Sequence, residues 1–420
     1  MRRLGLLGVI GAAGCMAAGA AHAQSLGDAI TGGKPILEMR ARYEGVDQAG
    51  LPEDAAAYTL RTRLGWETAA FADVKGLVEI ENIVATGDYN VAVPGPGGAS
   101  LNGKTRYPAV GDPEVTEINR LQLSWTPSAA FGVTAGRQRI GIDDQRFVGG
   151  VAWRQDEQTF DALRFDGGTT AVRATYLYIG RVNRTLGDLR DWDSDSHLVN
   201  LAWTVSPKLR LEGFAYALSF ANAPASSGLT TGVRAAGKTN AGPAAVAWTL
   251  TAARQTDWRN SPRSFDLGYL QGDIAGTVGA WTLKAGYERL DGDGVTGFST
   301  PLGTNHLFQG WSDAFAVAGG GKTGVDGIAD AWLGLTFAPP LKTRWFSAPT
   351  FTLVRHDFDA QRTGADLASE WDAQATAALT LHVTALLKYA DFTREPRVPA
   401  GTALAPADRT KLWASLEYRF

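Results

Sequence analysis

Cysteine is nearly missing from this 420-residue chain: Cys15 stands alone, inside the first 23 residues. A disulfide framework and a thiolate zinc centre are therefore both excluded for the rest of the sequence. Histidine is also scarce. Only His197, His306, His356 and His382 follow residue 23, widely separated and with no HExxH pattern. No window after residue 30 approaches the roughly 20 consecutive apolar residues of a spanning helix. The mean hydropathy of −0.12 is likewise too polar for a bundle of such helices. Lysine is rare: ten lysines stand against 28 arginines in residues 24–420. What is abundant is glycine, at 50 residues, and tryptophan, at 13. With no collagen period, that pair points to many short strands and turns.

Arg2 and Arg3 precede an apolar, small-residue run from Leu4 to Ala20, and Ala21-His22-Ala23 offers an A-x-A cleavage site. This is the pattern of a secretory signal peptide over 1–23. Cys15 raises a lipoprotein alternative, but Ala12-Ala13-Gly14 lacks the usual Leu and apolar residues continue past it. The expected mature chain, 24–420, carries a net charge of −5, which makes nucleic acid an unexpected partner. No linker or repeat divides it, so one domain is expected. The first strand follows so soon after the cleavage site that no plug domain fits before it, which argues against a TonB-dependent transporter.

Alternation at period 2 runs through this domain. Leu412, Ala414, Leu416, Tyr418 and Phe420 alternate with Trp413, Ser415, Glu417 and Arg419. Tyr58, Leu60, Thr62, Leu64 and Trp66 alternate with Thr59, Arg61, Arg63, Gly65 and Glu67. A soluble sandwich and an outer-membrane barrel share that period. Three features favour the barrel. The chain ends on Tyr418-Arg419-Phe420, like the terminal aromatic signature of proteins handed to the barrel-assembly machinery. Short turns (126–128, 166–168, 206–208, 278–280) alternate with long polar loops (87–113, 141–157, 182–195, 291–326). Aromatics recur near strand ends at Trp66, Trp125, Trp203, Tyr216, Trp281 and Trp332, as interfacial girdles would require.

Strands are expected at 35–45, 57–67, 73–85, 115–126, 130–140, 159–166, 170–181, 196–205, 208–220, 228–238, 244–256, 264–275, 279–290, 328–337, 349–359, 367–377, 380–392 and 410–420. The fold class is thus all-β: an antiparallel transmembrane barrel of 18 strands. It falls to 16 if 228–238 or 367–377 is not a strand.

The run Ala135-Gly136-Arg137-Gln138-Arg139-Ile140, then Asp143-Asp144-Gln145-Arg146-Phe147-Val148-Gly149, then Trp153-Arg154-Gln155-Asp156-Glu157-Gln158-Thr159-Phe160-Asp161 resembles the alginate-export domain family of outer-membrane barrels. His306 to Phe315, His356 to Ala360 and Glu370-Trp371-Asp372 extend the resemblance across most of the chain. It implies an 18-stranded barrel passing an anionic polysaccharide through an arginine-rich pore, the fold more strongly than the alginate.

The arginines themselves support an anion path. Arg40, Arg42, Arg61, Arg63, Arg120, Arg137, Arg139, Arg164 and Arg173 recur on polar faces, with Arg146 and Arg154 in the family-like stretch. The planar guanidinium fork binds carboxylate and phosphate bidentately. The plainer alternative is that these arginines pair with Glu38, Glu44, Glu79, Glu81 and Glu117 and merely brace the wall.

Other motifs are weaker. Ala316 to Thr323 fits a relaxed P-loop, but Gly324-Val325-Asp326-Gly327 follows where a helix is required. Asp191-Trp192-Asp193-Ser194-Asp195 starts like a calcium loop and then fails the pattern at Ser196 and Ala202; a solvated acidic loop is favoured over a calcium site. His356-Asp357 has no identifiable nucleophile. The expectation is therefore a monomeric outer-membrane channel in contact with lipid, passing acidic solutes without cofactor or metal, with loops 141–157 and 291–326 as candidates to narrow its mouth. The alternative is a barrel-embedded enzyme or a structural surface barrel.

Overall fold

In the computed structural model, described for residues 23–92, 99–317, 321–403 and 405–420, the alternating segments all become strands. They are β1 (Lys34–Gln48), β2 (Ala55–Glu67), β3 (Val74–Asp88), β4 (Val115–Ser128), β5 (Phe131–Gln138) and β6 (Thr159–Gly168). Next come β7 (Val172–Asn183), β8 (Trp192–Ser206), β9 (Leu209–Leu218), β10 (Gly228–Ala241), β11 (Ala244–Thr256) and β12 (Asp266–Val278). The set ends with β13 (Trp281–Leu290), β14 (Ile328–Phe337), β15 (Ser347–Asp359), β16 (Asp366–Ala378), β17 (Val383–Arg394) and β18 (Arg409–Arg419). Each pairs antiparallel with its sequence neighbours, and β1 pairs β18, with Met39 opposite Tyr418. The sheet is closed, so it has no free edge. The strand count is 18; the two doubtful segments are β10 and β16. The signal-peptide expectation falls on residues outside the described ones, apart from Ala23.

Closure separates two faces. Leu60, Leu64, Val78, Ile80, Leu121, Leu123, Leu333 and Leu416 point out and are exposed. Arg40, Arg42, Arg61, Arg63, Glu79, Glu81 and Trp413 point in and are buried. At one rim the connections are mostly tight, such as 129–130, 207–208 and 279–280. The same rim carries both ends of the barrel. A short helix, α1 (Leu26–Thr31), sits there, N-capped by the Ser25 side chain and held by Trp66 Nε1 donating to the Ile30 carbonyl (2.9 Å). Alternation carries no signal for that helix, and it was not expected. The opposite rim bears the long loops, including 395–408, which the expected strands 380–392 and 410–420 already leave between them.

Two girdle residues are corrected. Tyr216 is 2% exposed and faces inward. Trp332 also faces inward, its ring beneath Lys284 Nζ at 4.9 Å. Trp125, Trp203 and Trp281 do point out near the tight-turn rim, Trp281 stacked on Phe337 at 4.3 Å. Strand ends draw aromatics for interior packing as well as for interfaces, so position near a strand end alone misassigned these two.

Candidate functional site: the constriction of the lumen

The inner wall of β1–β6 is a ladder of opposite charges. Register places Glu38 opposite Arg63 and Arg63 opposite Glu81, and pairs Glu79 with Arg120. Arg63 contacts Glu38 (3.5 Å), Glu81 and Glu157 (3.2 Å). Arg120 forks onto Glu79, with Nε at 3.0 Å and Nη2 at 2.5 Å. Arg139 bridges Glu79 (3.1 Å) and Glu157. Arg164 holds Asp166 on the same wall (2.6 Å). Arg137 is corrected: it lies opposite Leu121 and Asp161, so it shares the outward face of the barrel and holds Asp161 there (2.8 Å). Arg173 lies at the tight-turn rim, donating to the Ala129 carbonyl at 3.0 Å.

Two rungs break the rule. Glu81 lies opposite Glu117, a conflict eased by Arg63 holding Glu81. Arg40 lies directly opposite Arg61, a like-charge pair that disfavours the sheet. This second conflict is relieved in two directions. Arg61 turns to Glu417 (3.2 Å) and Glu38 (3.6 Å). Arg40 turns to the inserted chain, donating to Gln155 Oε1 (2.8 Å) and to the carbonyls of Ala152 (3.0 Å) and Arg154. Arg42 likewise donates to the Trp153 carbonyl and pairs with Asp112. Both arginines hold a loop.

That loop is 139–158, and it meets 291–327 inside the barrel. Gly149 N donates to the Leu302 carbonyl (2.8 Å), and Thr304 N to the Gln145 carbonyl (2.8 Å). Backbones this close tolerate no side chain between them. A Cβ on Gly149 would stand 2.2 Å from Thr304 Oγ1, and one on Gly303 would stand 2.1 Å from the Arg146 carbonyl oxygen. Arg154 ties the two loops to the wall, pairing with Glu44 (3.0 Å), Asp112 (3.9 Å) and Asp313 (3.3 Å). Arg146 pairs with Glu288 (2.5 Å) and Asp144 (3.2 Å) and lies over the Phe308 ring at 3.9 Å. Loop 291–327 is anchored on β16: Ser312 donates from N and Oγ to Glu370 (2.7 and 2.6 Å), and Trp311 N donates to Asp372 (3.1 Å).

At the centre of the junction sits a lysine that sequence reasoning passed over. Lys388 of β17 reaches between Trp311 (3.8 Å) and Trp153 (4.3 Å), and its Nζ is 2.7 Å from His306 Nε2. His306 stacks flat on Trp153, centroids 4.1 Å apart, and bonds Asp313 through Nδ1 at 2.9 Å. An ammonium between indole faces is a cation–π clasp, here joining one strand to both loops. Burial pushes the His306 imidazole well below its usual range, and the Lys388 charge adds to this. Burial would raise the Asp313 carboxyl, but His306 and Lys322 outweigh it and hold it well below the carboxylate range. Signals for this cluster existed: Trp413 on the otherwise polar face of the last strand, and the run from His306 to Asp313. Lys388, one lysine among alternating residues, carried none.

Several motif expectations resolve here. Lys322, at the end of the P-loop-like run, is fully buried; its ammonium donates to the Phe308, Gln309 and Gly310 carbonyls and pairs with Asp313. Part of that run, 318–320, lies outside the described residues. His356 bonds Asp330 (2.9 Å), while its sequence neighbour Asp357 pairs with Arg355 (2.6 Å). Asp191 is taken up by Arg181 (2.9 Å) and the Arg184 amide (2.7 Å). Glu117 forms no ion pair within 4 Å among the described residues, unlike the four other wall acids.

The inner wall of β6–β9 departs from the expected polar lining. Phe160, Leu177, Ile179, Leu198, Phe214, Tyr216 and Leu218 face inward and form one apolar cluster with Ile140, Val148 and Leu302 of the inserted loops. Phe147 is its anchor, 5.2 Å from both Phe214 and Tyr269.

These features define the fold class: a closed 18-strand antiparallel barrel with two loops folded into its lumen. No family model matches the chain, and no curated protein does. Solved structures do. OpdO of Pseudomonas aeruginosa superposes with a TM-score of 0.66 at 14% identity, covering 94% of this chain and 98% of that one. OccK9 (OpdG) of the same organism gives 0.67 at 11% identity, covering 93% and 100%. OpdK, solved with vanillate, gives 0.66 at 12%, covering 93% and 100%. At such identities the likeness establishes the fold. The alginate-export family gains no support from any of these comparisons.

Proposed function

We propose that the chain is an outer-membrane channel for passive passage of small acidic solutes, working as a monomer after removal of residues 1–23. The observation that carries this is the lumen itself. Its polar wall bears Arg40, Arg42, Arg61, Arg63, Arg120 and Arg139 beside the two inserted loops. The wall acids neutralise much of that charge, so the arginines both brace the wall and set its potential. A solute carboxylate competes for guanidinium groups already aligned by their neighbours. The outward leucine and valine belt suits lipid, because an arginine there at the bilayer midplane costs roughly 2–4 kcal/mol. OpdK, a neighbour in fold, was solved with vanillate, an aromatic carboxylate, which is compatible with this reading. The loops filling the mouth favour a small solute over the polysaccharide that the alginate-export resemblance implies. A barrel-embedded enzyme or a purely structural barrel is the competing class.

Planar-bilayer recording decides between them. Discrete conductance steps with a reversal potential displaced toward the anion in a potassium chloride gradient are expected. A filled barrel gives no steps, and a cation-directed reversal potential sinks the acidic-solute reading.

A further inference from the structure

Between the two inserted loops and the β7–β8 connection lies a cavity of about 170 Å³. Trp153, Arg154, Arg184, Arg190, Trp192 and His306 line it. Arg154 is saturated by Glu44, Asp112 and Asp313. Asp313 also borders the cavity, but His306, Lys322 and Arg154 already surround its carboxylate. The other two arginines differ from the rest of the ladder. Arg184 lies over the Trp192 ring at 4.0 Å and donates through Nη1 to Gln158 Oε1 (2.6 Å) and the Pro301 carbonyl (2.9 Å). It forms no ion pair with any described carboxylate, and its Nε and Nη2 have no described partner. The side chain of Arg190 has no described hydrogen bond or ion pair at all.

Burial without a carboxylate lowers the Arg184 guanidinium to about 10, an environment short of negative charge. Arg184 follows directly on β7 and Arg190 closes the 3-10 turn Asp188–Arg190 six residues on, so the two guanidinium groups enter the cavity from different points of the connection. Two separated, unpaired cations in a confined space call for two separated anionic groups. A single carboxylate would satisfy one and leave the other bare. A single phosphoryl group would have to reach both from one point.

We propose that this cavity is a binding subsite for a small dicarboxylate, one carboxylate on Arg184 and the other on Arg190, with the connecting carbons against Trp192 and Trp153. The proposal rests on the channel reading for its biological use, and its chemistry is tested separately. Trp192 lends the first guanidinium a fixed plane, which suits a bidentate carboxylate. The site lies off the β1–β6 ladder, so a solute held here has already left the wall and sits where the loops meet.

The test is calorimetric titration of the full detergent-solubilised barrel with succinate, with butyrate as the single-charge equivalent and with inorganic phosphate. Succinate should bind about tenfold or more tightly than butyrate, and Arg184→Gln and Arg190→Gln should each erase that preference. Equal affinity for succinate and butyrate overturns the proposal, as does a preference that survives both substitutions. Phosphate binding more tightly than succinate overturns the dicarboxylate assignment. Should Arg184→Gln fail to fold, judged by loss of heat-modifiable migration, Arg190→Gln decides, because its side chain braces nothing. Wild-type barrels that conduct anions but do not discriminate overturn this inference alone; barrels that bind succinate but never conduct overturn the channel reading alone.

Discussion

The walls of β1–β6 and of β6–β9 face one lumen and clasp the same inserted loop, yet they do it by opposite means. On the first side, Arg40, Arg42 and Glu44 of the wall meet loop carbonyls, Gln155 and Arg154. On the second, Phe214 and Tyr216 meet Phe147 and Val148. The apolar contact gains from excluding water wherever it forms. The ionic contact is favourable only while each buried charge keeps its partner. The loop is thus positioned by a charged side with strict geometry and cushioned by an apolar side that tolerates small shifts. The charged side also lines the open part of the lumen, so the groups that fix the loop are those a passing anion meets.

The comparison can be broken most severely at Arg154. Arg154→Met removes one buried partner from each of Glu44, Asp112 and Asp313, leaving them to Lys411, Arg42 and Lys322. Removing one partner of such a network costs about 3–5 kcal/mol. The expected outcome is a lower thermal midpoint in detergent together with a larger single-channel conductance, as both loops loosen. An unchanged conductance would show that the loop stays seated without its charged anchor. Phe147→Ala tests the other side. Truncating a partly buried Phe should cost about 2–3 kcal/mol, below the full core range. Noise in the open-channel current should rise while the reversal potential holds, because no charge has moved.

Acidity probes the clasp between the walls. The imidazole of His306 is held well below its usual range by burial and by Lys388. The neutral form is therefore the one the closed loop accommodates, and stabilisation is complete above the ordinary histidine value of about 6.5. As pH falls through that value, the released loop binds a proton that the closed loop refuses, and closure weakens. Conductance should rise between pH 7.5 and 5, and His306→Gln should flatten the profile. A flat profile in the wild type would disprove the clasp. The smallest effect is expected from Arg137→Gln with Arg139→Gln. Arg139 is paired to Glu79 and Glu157 inside the lumen, and Arg137 to Asp161 on the outer face, so any shift comes from Arg139. Its loss unmasks wall acids, and the reversal potential should shift toward cations with assembly intact. No shift would mean that Arg139 only braces the wall.

Much of the barrel was legible because a half-buried strand writes its two faces at period 2, and 18 such segments survive as paired strands. The inward direction of Arg61 and Arg63 followed from Leu60, Leu64 and Trp66 on the other face. The wall acids Glu38, Glu44, Glu79 and Glu81 were legible as partners for the same reason. Period 2 says nothing about what an inward residue meets once it is inside. Phe214 and Tyr216 alternate like any strand residue, and only the inserted loop makes their side dry. Tyr216 and Trp332 were misplaced as girdle residues because a position near a strand end does not say which face an aromatic takes.

The sequence by itself determined the number of strands, their two faces and the excess of arginine over lysine, because each is a local or compositional property. Tertiary structure alone decided which arginines are spent and which remain. The glycine contacts at Gly149 and Gly303, the Lys388 clasp and the unpaired Arg184 and Arg190 join residues tens to hundreds of positions apart. Whether a guanidinium finds a carboxylate depends on which loop folds in beside it, and closure of the barrel sets that distance.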